Sequence, residues 1–224
     1  MRTGIFLQAR LQSTRLPNKI LLPLEEIPVL KHCMNSLQLA PADYYVIVTN
    51  GESAKQIEEL TEGTKWDVFV GSDEDVLDRY VQATREYSVD TVLRATADNP
   101  AVSYEIAIAL LKREESAPYT HFRDTPHGIG TELISGGALL FANARAKRKA
   151  DREHVTPYIL ETVPDIAHLR LPDQYKFAGV SISLDTPEDY ERLQRLFKDQ
   201  YKGKPLSLDT VTSWCRLEYA KSLQ

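Results

Sequence analysis

Cationic side chains cluster in the loop that follows the first apolar run of the chain. This basic loop (residues 8–19) begins at the end of an apolar stretch, residues 4–9, and no acidic residue precedes Glu25. Its cationic and hydroxyl side chains are Arg10, Ser13, Thr14, Arg15 and Lys19. Arginine offers a planar fork of donors, lysine a point charge, and loop N–H groups can add an anion-binding concavity. The loop therefore fits a site for a phosphate chain, and on composition alone it fits a solvated surface loop equally well.

Asp98 is a candidate metal ligand. It lies in an Asp-Asn-Pro segment shortly after a strand predicted at residues 90–94. Such a segment favours a turn, which is one explanation for the aspartate. Ser103 can cap the following helix with its own hydroxyl, however, and this leaves Asp98 without a structural duty. Both interpretations, turn residue and metal ligand, stay open at this point.

Asp185 stands just before a helix start that its neighbours explain without it. Thr186 is a favoured N-cap type, Pro187 suits the first helical position, and acidic residues follow in the first turn. Asp185 is thus free to point at a ligand from the end of a strand predicted at residues 180–184, although a carboxylate in a loop is usually just solvated. The acids of residues 73–75 differ, because Ser72 is predicted to be an N-cap and they suit the helix dipole.

The composition is that of an ordinary globular protein of 224 residues, 42% of them hydrophobic and 26% charged. The net charge of −5 argues against a general nucleic-acid binder. Cys33 and Cys215 predict neither a disulfide framework nor a cysteine-based zinc site. No segment approaches the length of an apolar membrane span. We therefore expect a cytoplasmic protein with no nucleic-acid or membrane partner.

Two motifs of other nucleotide-binding proteins are missing. The chain has no G-x-x-x-x-G-K-[ST] loop, and no G-x-G-x-x-G follows the first strand. P-loop hydrolysis and dinucleotide redox chemistry are therefore disfavoured. The histidines also lack a metal-ligand spacing such as H-E-x-x-H.

Strand-like and helical patterns alternate along the first half of the chain. Strands are predicted at residues 4–9, 44–49, 66–70 and 90–94, and helices at residues 28–39, 52–60, 73–87 and 104–113. In the second half, strands are predicted at residues 132–135, 166–171 and 180–184, helices at 138–149, 154–161, 187–198 and 208–223, and a long functional loop at 120–130. The alternation predicts an α/β fold with a doubly wound, mostly parallel sheet flanked by helices. No linker is evident, so residues 1–224 are expected to form a single domain.

The predicted fold brings several loops together. In open parallel sheets, ligands bind beyond the carboxyl ends of the strands. The loops after Ala9, Gly71 and Arg94 all lie on that edge. The sequence therefore predicts that the basic loop and Asp98 share one site.

Several segments, taken in chain order, carry a family resemblance. They are residues 8–19, 71–80, 94–100, 151–158 and 183–189. Together they resemble the CMP-sugar synthetases of the acylneuraminate and KDO type, and most closely the SpsF-like cytidylyltransferases of spore coat polysaccharide biosynthesis. One departure is Glu26, where the family usually has glycine, and this concerns a turn more than the chemistry.

The resemblance implies a Rossmann-like fold of the nucleotide-diphospho-sugar transferase type, CTP as donor, Mg²⁺ as cofactor and release of pyrophosphate. By the same resemblance, the catalytic residues would be Arg10, Lys19 and Asp98, and Mg²⁺ would be bound by Asp98 and Asp185. The nucleotide would be bound by Ala9, Arg10, Ser13, Arg15, Lys19, Gly71 and Ser72. The acceptor, a sugar or sugar acid, would contact His127, Gly128, Glu132 and His154.

Two other functions are compatible with the sequence. A nucleotide-sugar-dependent glycosyltransferase would have a similar fold, but such enzymes usually carry Asp-x-Asp after a central strand, where this chain has Asp98 followed by Asn99. A nucleotide-binding protein without turnover is the other alternative, and the basic loop and both aspartates speak against it. The resemblance also implies a homodimer.

Overall fold

A computed structural model describes residues 1–113, 117–176 and 179–222. Its strands are β1 (Thr3–Gln8), β2 (Pro23–Leu24), β3 (Ile27–Pro28), β4 (Tyr44–Asn50), β5 (Asp67–Gly71), β6 (Thr91–Thr96), β7 (Tyr119–Arg123), β8 (Glu132–Ser135) and β9 (Ala167–Arg170). Its helices are α1 (Val29–Leu37), α2 (Gly51–Thr61), α3 (Val76–Glu86), α4 (Tyr104–Leu111), α5 (Gly136–Arg145), α6 (Lys149–His154), α7 (Pro157–Thr162), α8 (Pro187–Gln200) and α9 (Leu208–Ser222). Short 3₁₀ helices lie at Lys19–Leu21 and Asp173–Tyr175.

The main sheet confirms the predicted doubly wound, mostly parallel architecture. Its strand order is β5-β4-β1-β6-β8-β7-β9. The pairs β5–β4, β4–β1, β1–β6 and β7–β9 are parallel, and β8 runs antiparallel to both of its neighbours. The short strands β2 and β3 form a separate antiparallel pair.

The sheet is covered on both faces because alternate side chains of each strand point to opposite sides. On β1, Ile5 and Leu7 pack into one core with residues of α1, α4, α8 and α9. Phe6 packs into the other core with residues of α3, α5 and α7. All three side chains are fully buried, and burying each one stabilises the fold by about 1.5–3 kcal/mol. Within the described residues, no helix has the length and apolarity needed to cross a membrane.

Two of the predicted helix caps are confirmed and one is wrong. The Ser103 hydroxyl accepts a hydrogen bond from the N–H of Ile106, and Thr186 forms a capping box at the start of α8. The predicted N-cap at Ser72 is wrong, because Asp75 caps α3 by accepting from the N–H of Asp78 at 2.9 Å. The helix predicted from residue 73 therefore begins at Val76.

Other predicted elements differ in extent. The strand predicted at residues 180–184 is not formed. The N–H groups of Ile182 and Leu184 donate to the carbonyls of His127 and Asp98, which lie in two separate loops and not in a neighbouring strand. The loop predicted at residues 120–130 begins later, since Tyr119–Arg123 forms β7.

The helices around residue 150 were also wrongly divided. The helix predicted at residues 138–149 ends at Arg145, and α6 follows as a separate helix. The next predicted helix starts at Pro157, not at residue 154, because the chain turns at Val155, which has a positive φ of 69°. At the far end, the predicted last residue of α9, Leu223, lies outside the described residues.

Candidate active site

The carboxyl edge of the parallel strands brings the basic loop and Asp98 together. The strands β1 and β6 are paired in register, with Gln8 opposite Thr96. The N–H of Ala97 donates to the carbonyl of Gln8 at 2.9 Å and extends this pairing by one residue. The basic loop and the turn that contains Asp98 therefore leave the sheet side by side.

The basic loop is anchored on α2. Gln12 accepts hydrogen bonds from the side chains of Asn50 and Ser53, both at 3.1 Å, and the N–H of Leu11 donates to the Ser53 hydroxyl. Asn18 adopts a left-handed conformation with φ 56°, and its N–H closes the loop onto the carbonyl of Leu11. These bonds fix the loop while its arginine side chains stay exposed to solvent.

A polar cavity of about 320 Å³, the first cavity, opens at this edge. Its wall includes Gln8, Ala9, Arg10, Ser13, Thr14, Arg15, Lys19, Arg94, Thr96, Asp98, Glu153, His154 and Asp185. The structure thus brings together the basic loop and both aspartates that the sequence singled out. His154, which the resemblance places at the acceptor, lies in this wall as well.

Lys19 joins the two aspartates. Its Nζ lies 3.0 Å from Asp98 Oδ2 and 2.8 Å from Asp185 Oδ1. Arg15 adds a second contact to Asp185 at 3.1 Å, from a side chain that is mostly exposed. The other oxygen of Asp98 accepts a hydrogen bond from the Thr96 hydroxyl at 2.7 Å. The two carboxylates therefore face one common point, and a single cation can contact both.

Backbone contacts fix the separation of these carboxylates. The N–H of Leu184, next to Asp185, donates to the carbonyl of Asp98 at 2.8 Å. On its other side this segment packs closely on Gly128, where an added Cβ would lie 2.6 Å from Ser183 N. Gly128 also has a φ of 102°, a backbone conformation that residues other than glycine rarely adopt. The position of Gly128 therefore serves the placement of Asp185.

A second cavity, of about 350 Å³, adjoins the first. The two cavities share Arg94 and Thr96 in their walls. The second cavity is also lined by Asn99, His121, Phe122, Pro126, His127, Gly128, Thr131 and Glu132. Three of the four predicted acceptor residues, His127, Gly128 and Glu132, therefore lie together here, apart from His154.

The wall shared by the two cavities contains a buried network that the sequence analysis missed. Arg94 donates to Glu132 at 2.6 Å and to Gln8 at 3.1 Å. The Tyr119 hydroxyl donates to the other oxygen of Glu132 at 2.6 Å, and burial together with that carboxylate raises the pKa of Tyr119. Burial opposes the charge of Arg94, but Glu132 outweighs it and holds the arginine pKa above its usual value. The sequence does contain a sign of this network, because Arg94 lies in an otherwise uncharged strand and a buried charge requires a partner of opposite charge.

The network extends to two histidines on neighbouring strands. Nδ1 of His121 lies 3.0 Å from the Tyr119 oxygen, and Nε2 of His121 lies 3.0 Å from Nδ1 of His168. Because the Tyr119 hydroxyl donates to Glu132, its oxygen accepts from His121, whose Nε2 is then left to accept from His168. Burial, and next the neighbouring His168, lower the pKa of His121.

The turn at Gly71 and Ser72 lies outside the wall of the first cavity. The buried Arg79 holds this turn through a hydrogen bond from its Nε to the Ser72 carbonyl at 2.9 Å. An added Cβ on Gly71 would lie 2.7 Å from Cγ of Arg79, so the close packing requires glycine. Val76, at the start of α3, is the residue of this region that lines the cavity.

Comparison with known proteins identifies the family. The family model described as Cytidylyltransferase matches residues 5–221. The spore coat polysaccharide biosynthesis protein SpsF of Bacillus subtilis is 30% identical over 205 residues, which cover 86% of this chain and 85% of that protein.

Solved structures agree with the fold. A cytidylyltransferase from Leptospira borgpetersenii serovar Hardjo-bovis superposes with a TM-score of 0.88 and 25% identity, over 97% of this chain and 95% of that one. A CMP:2-keto-3-deoxy-manno-octonic acid synthetase, solved in complex with CTP, superposes with a TM-score of 0.69 and 16% identity, over 89% and 99% of the two chains.

The family match covers almost the whole chain, including both cavity walls and the strands that carry them. It selects nucleotidyl transfer over the glycosyltransferase and the binding protein without turnover. The chain belongs to the cytidylyltransferase family and is a CTP-dependent nucleotidyltransferase.

Proposed function

We propose that this protein transfers CMP from CTP to a sugar or sugar acid, with release of pyrophosphate, in the synthesis of a surface polysaccharide. Residues 1–224 would act as one catalytic domain. The observation that carries the proposal is the pair of polar cavities that share Arg94 and Thr96, with Asp98 in the first of them. The first cavity would bind CTP and the second the acceptor, and the shared wall would hold the two substrates side by side. Similarity to SpsF supports the polysaccharide pathway.

The triphosphate would bind in the first cavity. Arg10 and Arg15 lie exposed in its wall, and the hydroxyl of Ser13 and the small side chain of Ala9 line it as well. Arginine binds phosphate oxygens through two parallel hydrogen bonds, and such charge-assisted bonds are strong. The base would extend past Val76 towards the turn at Gly71 and Ser72.

Cytidylyltransferases generally use a divalent cation, and the donor set of this chain fits Mg²⁺. Asp98 and Asp185 offer hard carboxylate oxygens that already face one point. In the part of the chain that the structure describes, no cluster of three or more His, Cys, Asp or Glu residues forms a complete cage. Mg²⁺ commonly binds through one or two carboxylates and takes its other ligands from phosphate and water. When bound, it would offset phosphate charge and polarise the attacking hydroxyl.

The acceptor would bind in the second cavity. Two polar atoms of its lining residues, Asn99 Oδ1 and Thr131 Oγ1, are buried without a hydrogen-bond partner. Buried polar atoms nearly always have partners, so these two suit a ligand rich in hydroxyl groups. His127 and Glu132 would add contacts from the same wall. His154 would act from the side of the first cavity.

The reaction would proceed by positioning and by electrostatic stabilisation. A hydroxyl oxygen of the acceptor would form the new bond to the α-phosphorus and pass its proton to water. The bond between the α-phosphorus and the oxygen that bridges it to the β-phosphorus would break, and pyrophosphate would leave with that oxygen. Arg10 and Arg15 would take up the charge that accumulates on the departing pyrophosphate. Arg94, held by Glu132 in the shared wall, would stabilise charge where the two substrates meet.

We further propose that the enzyme acts in the cytoplasm as a homodimer, without a nucleic-acid or membrane partner. The exposed apolar side chains of Leu140, Phe141 and Leu160, on α5 and α7, would suit a subunit contact. Light scattering of the purified protein gives the mass in solution. A monomer at every concentration would contradict the dimer.

The nucleotide preference is tested by thermal unfolding with CTP, UTP, ATP or GTP, each with and without Mg²⁺. A ligand at 100 times its Kd adds about 2.7 kcal/mol of stability. We expect CTP with Mg²⁺ to raise the unfolding temperature most. Pyrophosphate release is then measured with CTP over a panel of neutral, amino and acidic sugars. A larger shift with UTP, or with a nucleotide sugar and no pyrophosphate release, would contradict the proposal.

A further inference from the structure

All donors of the Lys19 ammonium group are engaged within the protein. Besides the two carboxylates, at 3.0 and 2.8 Å, it donates to the carbonyl of Leu184 at 2.8 Å. A lysine ammonium has three donors and no acceptor, so none is left for a phosphate oxygen while these contacts last. The side chain is only 12% exposed. The phosphate role that the resemblance implies for Lys19 therefore requires a change of partners.

The carboxylates are the fixed part of this arrangement. Asp98 is tied through its carbonyl to the N–H of Leu184, and the N–H of Asp185 donates to the side chain of Asp189 at 3.1 Å. Lys19 instead reaches the site on a flexible four-carbon stem from the first residue of a short 3₁₀ helix. A change of partners would thus move Lys19 and leave the carboxylates in place.

A divalent cation and the ammonium would compete for the same point. Both are attracted by the same two carboxylate oxygens, and a separation of a few ångströms between two cations is strongly repulsive away from bulk water. We propose, on the basis of the function proposed above, that Lys19 is a built-in counter-ion that keeps a divalent cation from Asp98 and Asp185 until a triphosphate draws the ammonium away.

The triphosphate can draw Lys19 away because it binds in the same cavity. Lys19 and Arg10 both line the first cavity, and phosphate oxygens are strong acceptors for an ammonium group. Once Lys19 contacts phosphate, Asp98 has lost its ammonium partner, and Asp185 keeps only the contact with the mostly exposed Arg15. Coupling of this kind is reciprocal, so the cation strengthens nucleotide binding by the same factor. Lys19 would thereby make the site accept nucleotide and cation together and bind the cation poorly alone.

The test measures binding of Mn²⁺ through the relaxation rate of water protons, which rises when Mn²⁺ is held by a slowly tumbling protein. It compares the wild type with Lys19→Met and Lys19→Gln, which remove the charge at similar side-chain length. Lys55→Met, on the exposed side of α2, is the matched control for the change in net charge. Each protein is titrated with Mn²⁺ alone and again with saturating CTP, and circular dichroism checks the fold.

Without nucleotide, we expect both Lys19 variants to bind Mn²⁺ on the order of tenfold more tightly than the wild type, because a like charge has been removed. Lys55→Met should match the wild type. If Lys19→Met unfolds in the absence of metal, restoration of its unfolding temperature by Mn²⁺ supports the same conclusion.

Equal Mn²⁺ affinity of the wild type and both Lys19 variants without nucleotide would overturn the counter-ion role. If the wild type in that case still binds Mn²⁺ with CTP, the proposed function stands and only this inference fails. If no protein binds Mn²⁺ even with CTP, the metal site of the proposed function fails as well.

Discussion

Arg94 on β6 donates a hydrogen bond to Glu132 on β8, with Nη1 2.6 Å from Oε2. The side chains are 13% and 26% exposed, so most of each charge is withdrawn from water. Arg94 lies in the walls of both cavities and Glu132 in that of the second. This ion pair therefore links the stability of the sheet to the point where the two substrates would meet.

Breaking this pair from one side should destabilise the fold. Arg94→Met or Glu132→Leu alone leaves an unpaired, largely buried charge, which costs on the order of 3 kcal/mol. The double variant removes both charges and should recover much of that loss without recovering activity. Urea unfolding of the four proteins gives the coupling energy. Single variants within about 0.5 kcal/mol of the wild type would contradict the importance of the pair.

Arg10 should matter for nucleotide binding and not for folding. It is exposed in the wall of the first cavity, so Arg10→Ala should change the free energy of unfolding by less than about 0.5 kcal/mol. Loss of a charge-assisted hydrogen bond should weaken CTP binding by roughly tenfold or more. Arg2→Ala, an exposed arginine before the other end of β1, is the control. Titration calorimetry measures the CTP affinity of the wild type and of both variants. An Arg10→Ala protein that binds CTP as tightly as the wild type would show that Arg10 does not contact the nucleotide.

Gly128→Ala should displace the backbone segment that leads to Asp185. A Cβ would lie 2.6 Å from Ser183 N and would be held at φ 102°, so we expect a loss of about 2–3 kcal/mol of stability. Because the displaced segment leads to Asp185, activity should fall as well. Gly137→Ala is the matched control, since α5 leaves room for a Cβ there and alanine favours the helix. A neutral Gly128→Ala would show that this packing does not hold the segment.

The stability of the protein should fall at mildly acidic pH. The pKa of His121 is lowered in the fold, so below its usual value near 6.5 the unfolded chain binds more protons than the folded one. This stabilising contribution is complete above about pH 6.5 and is lost as the pH falls through the folded pKa. His32, whose pKa burial also lowers, acts in the same direction.

His121→Gln should therefore flatten, without abolishing, the decline of the unfolding temperature as the pH falls below about 6.5. His168→Gln should raise the pKa of His121 towards its usual value, because it removes a neighbouring charge, and should therefore make the decline smaller. Thermal unfolding at several pH values measures this. Superimposable profiles for the wild type and His121→Gln would refute the role of His121.

The sequence predicted the parallel half of the fold well because that half follows from local patterns. Apolar runs such as residues 44–49, and cap residues such as Ser103 and Thr186, act over short distances. The start of α3 was misplaced because Ser72 and Asp75 are both good capping residues, and only the backbone decides between them. Residues 180–184 have the composition of a strand, but the chain offers them single carbonyl partners and no strand edge.

The site was predicted as a set of residues and not as an arrangement. Ligands bind beyond the carboxyl ends of parallel strands, and this general property predicted that the basic loop lies beside Asp98. It did not predict the position of Asp185, which depends on the segment that packs on Gly128. Lys19 is far from both aspartates in sequence, so its position between them depends on the whole topology. The antiparallel pairing of β8 with β6, which places Glu132 opposite Arg94, likewise could not be predicted from the residues of either strand alone.

The central claim is that nucleotidyl transfer takes place at the carboxylate pair Asp98 and Asp185. The most direct measurement is pyrophosphate release from CTP and a working acceptor over a titration of Mg²⁺. It compares the wild type with Asp98→Asn and Asp185→Asn. Asp165→Asn, at an exposed residue with φ 63° that asparagine tolerates, is the control for the same chemical change. Thermal unfolding in parallel checks that each variant is folded.

Each variant at the pair should lose turnover by on the order of 10²–10³, the size of a lost transition-state stabiliser, and should need more Mg²⁺. Asp165→Asn should match the wild type. Folded Asp98→Asn and Asp185→Asn proteins that both turn over at the wild-type rate, with the same Mg²⁺ dependence, would contradict the claim.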